Sequence, residues 1–182
     1  MNKPKNYDAV EAKQGGVFER MQAGGYVLKV INAIESVSKS TDRPMLELLF
    51  DVAEGQFTDH YKQLCDKFGG IKYLRHFVMT DEDGAANLKA VLNAFELSNK
   101  AFVFNWDNPK CLIGKKIGAN LREEEYNNKE KELKTILKIA YLAPVWEVQE
   151  MKVLPIKKMD NSKQFNEAVE SVNEEKKDDL PF

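Results

Sequence analysis

The stretch from Tyr26 to Ser36 constrains the fold more than any other. Tyr26, Leu28, Val30 and Ile34 fall at even spacing, the period of a strand, while Val27, Ile31 and Ala33 make the opposite face apolar too. A strand with two apolar faces needs cover on both, as in a small closed barrel. Gly24-Gly25 opens it, and Ser36 to Pro44, with Lys39, Asp42 and Arg43, carries turn chemistry. A second strand is expected from Met45 to Val52, with Leu46, Leu48, Phe50 and Val52 inward and Glu47 and Asp51 outward. Two such runs joined by a polar loop make a hairpin.

Gln56 to Tyr61 is expected to be the third strand, and the stretch on to Thr80, around Leu64, Phe68, Tyr73, His76 and Phe77, shows no clean period. From Asp81 the pattern turns helical. Ala86, Leu88, Val91, Leu92, Phe95 and Leu97 recur at helical spacing up to Ser98-Asn99, with Asp81 or Asp83 placed to cap. Phe102, Phe104 and Trp106 alternate ahead of the turn Asp107-Asn108-Pro109. Leu112 to Leu121 predicts a strand bent at Gly114 or Gly118, Arg122 to Glu132 a charged loop, and Leu133 to Val145 a long last strand. In that strand Lys134, Ile136, Lys138 and Ala140 share one side. Trp146 to Ile156 adds a short strand. The predicted class is therefore mainly β with one helix, and three strands, a helix and two strands is the order of a five-stranded OB-fold barrel. The expected organisation is an arm over 1–23, this domain over 24–157 and an acidic tail over 158–182.

Charge is unevenly placed. From Asp160 to Phe182 seven acids face three lysines, so the tail carries −4 of the net −2 and residues 1–159 carry +2. A mildly basic body with an acidic tail suits a protein whose tail competes with nucleic acid or meets a partner. The tail ends Asp178-Asp179-Leu180-Pro181-Phe182, a greasy acidic tip able to seat its ring in an apolar pocket rimmed by bases. Cys65 and Cys111 have no metal-binding spacing and are expected as free thiols of a reducing cytoplasm. No apolar run approaches the roughly 18 residues that span a membrane, and no signal peptide is apparent.

Several stretches recur in the order of one family: Ala23-Gly24-Gly25-Tyr26-Val27, Phe50-Asp51-Val52-Ala53-Glu54-Gly55, Ala94-Phe95-Glu96-Leu97-Ser98-Asn99, Trp106-Asp107, Leu112-Ile113-Gly114-Lys115 and Glu124-Glu125-Tyr126. Over residues 7–145 the chain resembles small proteins of phages and mobile elements of Gram-positive bacteria, encoded beside replication and recombination genes. The tip likewise resembles the acidic end of bacterial and phage single-stranded DNA-binding proteins. The resemblance implies an OB-fold, single-stranded DNA as partner, and replication or recombination proteins recruited by residues 178–182. The residues themselves give no cofactor motif and no membrane partner, and they leave a homo-oligomer open.

Non-specific single-strand binding needs bases for phosphates and exposed rings for stacking. Rings outside the expected core are Tyr61, Tyr73, Trp106 and Tyr126, beside Lys62, Arg75, Lys110 and Lys129. The loops that flank an OB binding face add Lys39, Arg43 and Arg122, and the fourth strand adds Lys115 and Lys116. Trp106 fits a core ring equally, and Lys115-Lys116 an ordinary solvated edge. Two rival classes remain: an interaction module that ignores DNA, and a metal-dependent nuclease built on Asp107 and Glu132-Leu133-Lys134. Against the second, that spacing is generic in a chain this charged. As separate metal candidates, Glu123-Glu124-Glu125 on a loop cannot all converge on one cation, and His60 and His76 lack partners at ligand spacing.

Overall fold

The computed structural model describes residues 20–70 and 72–159. Five strands, β1 (Gly24–Val37), β2 (Pro44–Val52), β3 (Leu74–Met79), β4 (Lys116–Asn127) and β5 (Leu133–Ala143), form one antiparallel sheet in the order β3-β2-β1-β4-β5. The sheet is open, with β3 and β5 as its edges. Helix α1 (His60–Phe68) lies between β2 and β3, and helix α2 (Ala85–Ser98) between β3 and β4. Short 3-10 turns occupy Pro109–Leu112 and Val145–Glu150.

Leu28 and Val30 of β1, Leu46, Leu48, Phe50 and Val52 of β2, and Ile117, Ala119 and Leu121 of β4 supply the sheet's side of the core. The apolar stripe of α2 (Leu88, Val91, Leu92 and Phe95) closes over it. Ile34 does not join this core. The β1–β2 register shifts between Val30 and Asn32, so Ala33 takes the inward position and Ile34 turns outward, 38% exposed. An extra residue in a strand reverses every side chain after it.

The third strand is not Gln56 to Tyr61. That stretch forms a turn and the start of α1, and the third strand is β3, from the region that showed no period. The described residues thus carry two α-helices rather than one. Asp51, expected outward to solvent, is fully buried, and its carboxylate explains α1. It accepts from the N–H of Val52 at 2.8 Å and from those of Tyr61 and Lys62 at 2.9 Å each. The last two are the orphan donors of the helix's first turn, which Asp59, in a left-handed conformation, does not satisfy with its own side chain. Asp59 instead pairs with Lys29 of β1.

The fourth strand is also displaced. It starts at Lys116, after the 3-10 turn, and runs through the expected loop to Asn127. Gly114 bends the chain at φ +79°, but Gly118 stays in register. A β-carbon at Gly118 would lie 2.8 Å from the Pro144 carbonyl oxygen, so glycine admits the 3-10 turn against the sheet there. The irregularity falls two residues later, between Asn120 and Leu121. The charged half of β4 stays extended because its charges are paired. Glu124 takes Arg122 at 3.0 Å, Lys138 of β5 at 3.2 Å and Lys157 at 3.7 Å. In place of the expected strand from Trp146, the chain makes the 3-10 turn and then one parallel bridge, Lys157 to Glu124.

The β1–β2 turn is tied to the start of α2. Arg43 donates to Asp81 at 2.5 and 2.7 Å, and Asp81 also accepts from the Gly84 N–H at 2.9 Å. The Arg43 hydrogen bonds hold the Asp81 carboxyl at about 2, below its ordinary 3.8. A carboxyl depressed on folding adds stability above its unfolded value and loses it as pH falls. Thermal unfolding of the parent should therefore exceed that of Asp81→Asn at neutral pH. The gap should close between about pH 4 and about pH 2, and a gap unchanged across that window would contradict the assignment.

Candidate nucleic-acid interface

The free edges of β3 and β5 face each other across a cleft of about 690 Å³. Its floor and walls come from Tyr73 to Phe77, from Thr135 to Ile139, from the first turn of α1, and from Arg20 and Met21 ahead of β1. Among the described residues the lining carries Arg20, Lys72, Arg75 and Lys138 and no carboxylate. Tyr61, Tyr73 and Phe77 add rings, and Ile136 and Leu137 add aliphatic surface. Phe77 and Ile136 are 44% and 43% exposed, large apolar surfaces left open beside cations.

The strand period explains the arrangement. Along β3, Leu74 and Val78 are buried, whereas Arg75 and Phe77 are exposed on the other face. Arg75 reaches Glu47 of β2 at 3.5 Å with its side chain half exposed, a surface pair that leaves most of its charge available. Lys72 makes no ion pair with another described residue. Lys138 shares Glu124 with Arg122 and Lys157, three cations on one carboxylate. Burial pushes the Glu124 carboxyl up, but hydrogen bonds from Arg122 and Lys138 more than offset it, and the group sits below the usual range. Burial lowers His60 and His76, so both rings are neutral at pH 7 and serve as surface rather than charge. Burial raises the phenols of Tyr61 and Tyr73, keeping them protonated.

Of the residues singled out from sequence, Tyr61, Tyr73 and Arg75 meet in this cleft, and Lys62 adjoins it on α1. The others lie elsewhere. Lys39 is exposed in the β1–β2 turn, and Arg43 is held by Asp81. Trp106 is 71% exposed after α2, edge-on to Phe104 at 5.1 Å, rather than a core ring. Lys115 lies 4.7 Å over the Phe102 ring, and Lys116 pairs with Glu54 at 2.8 Å. Arg122 and Tyr126 lie on β4, not in a loop. Asp178, Asp179, Leu180, Pro181 and Phe182 fall outside the described residues, as does most of the 1–23 arm.

Arg20, Lys72, Phe77 and Lys138 belong to the cleft but escaped the sequence reading. For two of them a signal existed: Arg75 and Phe77 alternate, and Lys138 sat on the side of the last strand opposite Leu137 and Ile139. Of the nuclease candidates, Asp107 is in a turn after α2, while Glu132 sits in the β4–β5 turn bound to Lys134 and Asn128. No group of three or more His, Cys, Asp or Glu placed to hold a metal occurs among the described residues. Cys65 and Cys111 are free and half-buried. No helix among the described residues is long and apolar enough to cross a membrane.

No family model matches this chain, and no curated protein matches it.

Proposed function

We propose that this protein binds single-stranded DNA without strong sequence preference, as an accessory of phage or mobile-element replication or recombination. The observation that carries this reading is the cleft's composition: cations and exposed rings side by side, with no carboxylate among the described lining residues. Arg20, Lys72, Arg75 and Lys138 would displace counterions from the phosphates, and Tyr73 and Phe77 would stack on bases, a pairing that tolerates any sequence. A duplex, whose bases already stack on one another, offers those rings little. The strand order, with β1 central and β3 facing β5, supports an OB-type barrel with its β3–β5 seam parted, a known nucleic-acid scaffold. The protein acts by binding, without catalysis, in the host cytoplasm, and Asp178 to Phe182 recruit replication or recombination proteins. The test is the affinity of a labelled single strand against its duplex across a salt series.

One observation favours a second reading. Two sheet edges have no strand partner among the described residues and could accept a peptide strand, which would make the protein an interaction module. That reading expects no oligonucleotide affinity at any salt.

A further inference from the structure

The cleft has a candidate occupant on the chain itself. Arg20 donates to the carbonyl and hydroxyl oxygens of Thr135 on the β5 edge, at 3.2 Å each, and Met21 beside it is 3% exposed in the core. Arg20, the first described residue, therefore stands at the cleft. One residue adds at most about 3.6 Å, so Phe18 stays within roughly 7 Å of Arg20 along the chain. Val17-Phe18 is an apolar pair, and the lining leaves Phe77 and Ile136 uncovered. Charge agrees as well: residues 7–19 hold Asp8, Glu11 and Glu19 against Lys13 alone, and the described lining of the cleft holds cations without acids.

We propose that residues 7–19 dock in the cleft between β3 and β5, with Val17 and Phe18 covering Phe77 and Ile136, and that a DNA strand must displace them. The docking stands on the cleft's geometry; the displacement rests on the single-strand reading above. The segment then acts as a tethered competitor, which sets the threshold for strand entry through its effective concentration.

Disulfide trapping in the full chain tests both parts, using Phe18→Cys with Ile136→Cys in a Cys65→Ser, Cys111→Ser background. An intrachain cross-link that forms readily, and that excess poly-dT suppresses, is the expected result. Amide exchange provides the second measurement. In Phe18→Lys the free-edge amides of Leu74–Met79 and Leu133–Ala143 should exchange about tenfold faster than in the parent. No intrachain cross-link together with unchanged exchange overturns the docking, as does a cross-link formed only between two copies. A cross-link that forms but ignores poly-dT, in a protein that binds no DNA, retains the docking and overturns the single-strand reading. Poly-dT bound tightly beside an undiminished cross-link overturns the displacement.

Discussion

Replacing Lys72 and Arg75 together by alanine should flatten the salt dependence of single-strand binding and lower affinity about 10- to 100-fold at low salt. Each phosphate neutralised on a single strand contributes about 0.7 to the slope of log affinity against log salt, so losing two contacts should reduce that slope by about 1.4. Both are exposed residues that line the cleft, and the only ion pair lost among the described residues is Arg75 with Glu47 at 3.5 Å, so the fold should be little affected. Lys116→Ala gives the contrast. Its ammonium is occupied by Glu54 at 2.8 Å outside the cleft, and its loss should leave the slope unchanged. Equal effects from the two variants would mean that binding follows overall charge and not the cleft. Phe77→Ala separates stacking from charge: it should weaken binding by about 1–3 kcal/mol without altering the slope.

The second large effect concerns Asp51. Its carboxylate is fully buried and takes two first-turn N–H groups of α1 along with the N–H of Val52. Asp51→Ala strands these donors away from water, and the protein should lose about 2–4 kcal/mol in urea unfolding. Asp51→Asn keeps one carbonyl oxygen and should lose about half as much. Because α1 carries Tyr61 to the cleft wall, the alanine variant should also bind single strands more weakly at temperatures where it remains folded. A loss below about 0.5 kcal/mol would show that the helix is held by its side-chain packing rather than by this distant cap.

The physical reasons why parts of the fold could be read from sequence differ by element. β1, β2, β5 and α2 carry long periodic apolar patterns that bury in one core, and their limits in the structure lie within a few residues of those expected. α1 escaped because no residue of it is fully buried and its stripe spans only two turns. The stripe is nonetheless present: Tyr61, Leu64, Cys65 and Phe68 recur three and four residues apart. β3 escaped because His76 interrupts the inward alternation of Leu74 and Val78. The length of β4 is hidden because a charged run reads as loop, whereas Glu124 and its three cations form a paired surface on a strand that continues past the start of β1. The cleft was legible only in part. Tyr61, Tyr73 and Arg75 were marked by residue type, but joining them to Lys138 and Arg20 requires knowing that β3 and β5 are the facing edges of one sheet.

The central claim is that the cleft takes an unpaired strand. Fluorescence anisotropy of labelled poly-dT against the full chain, from low to physiological salt and with a duplex of equal length in parallel, tests it most directly. The account predicts tight binding that falls linearly on logarithmic axes, with the duplex bound far less. No binding at low salt, or a duplex bound as well as the single strand, would contradict it.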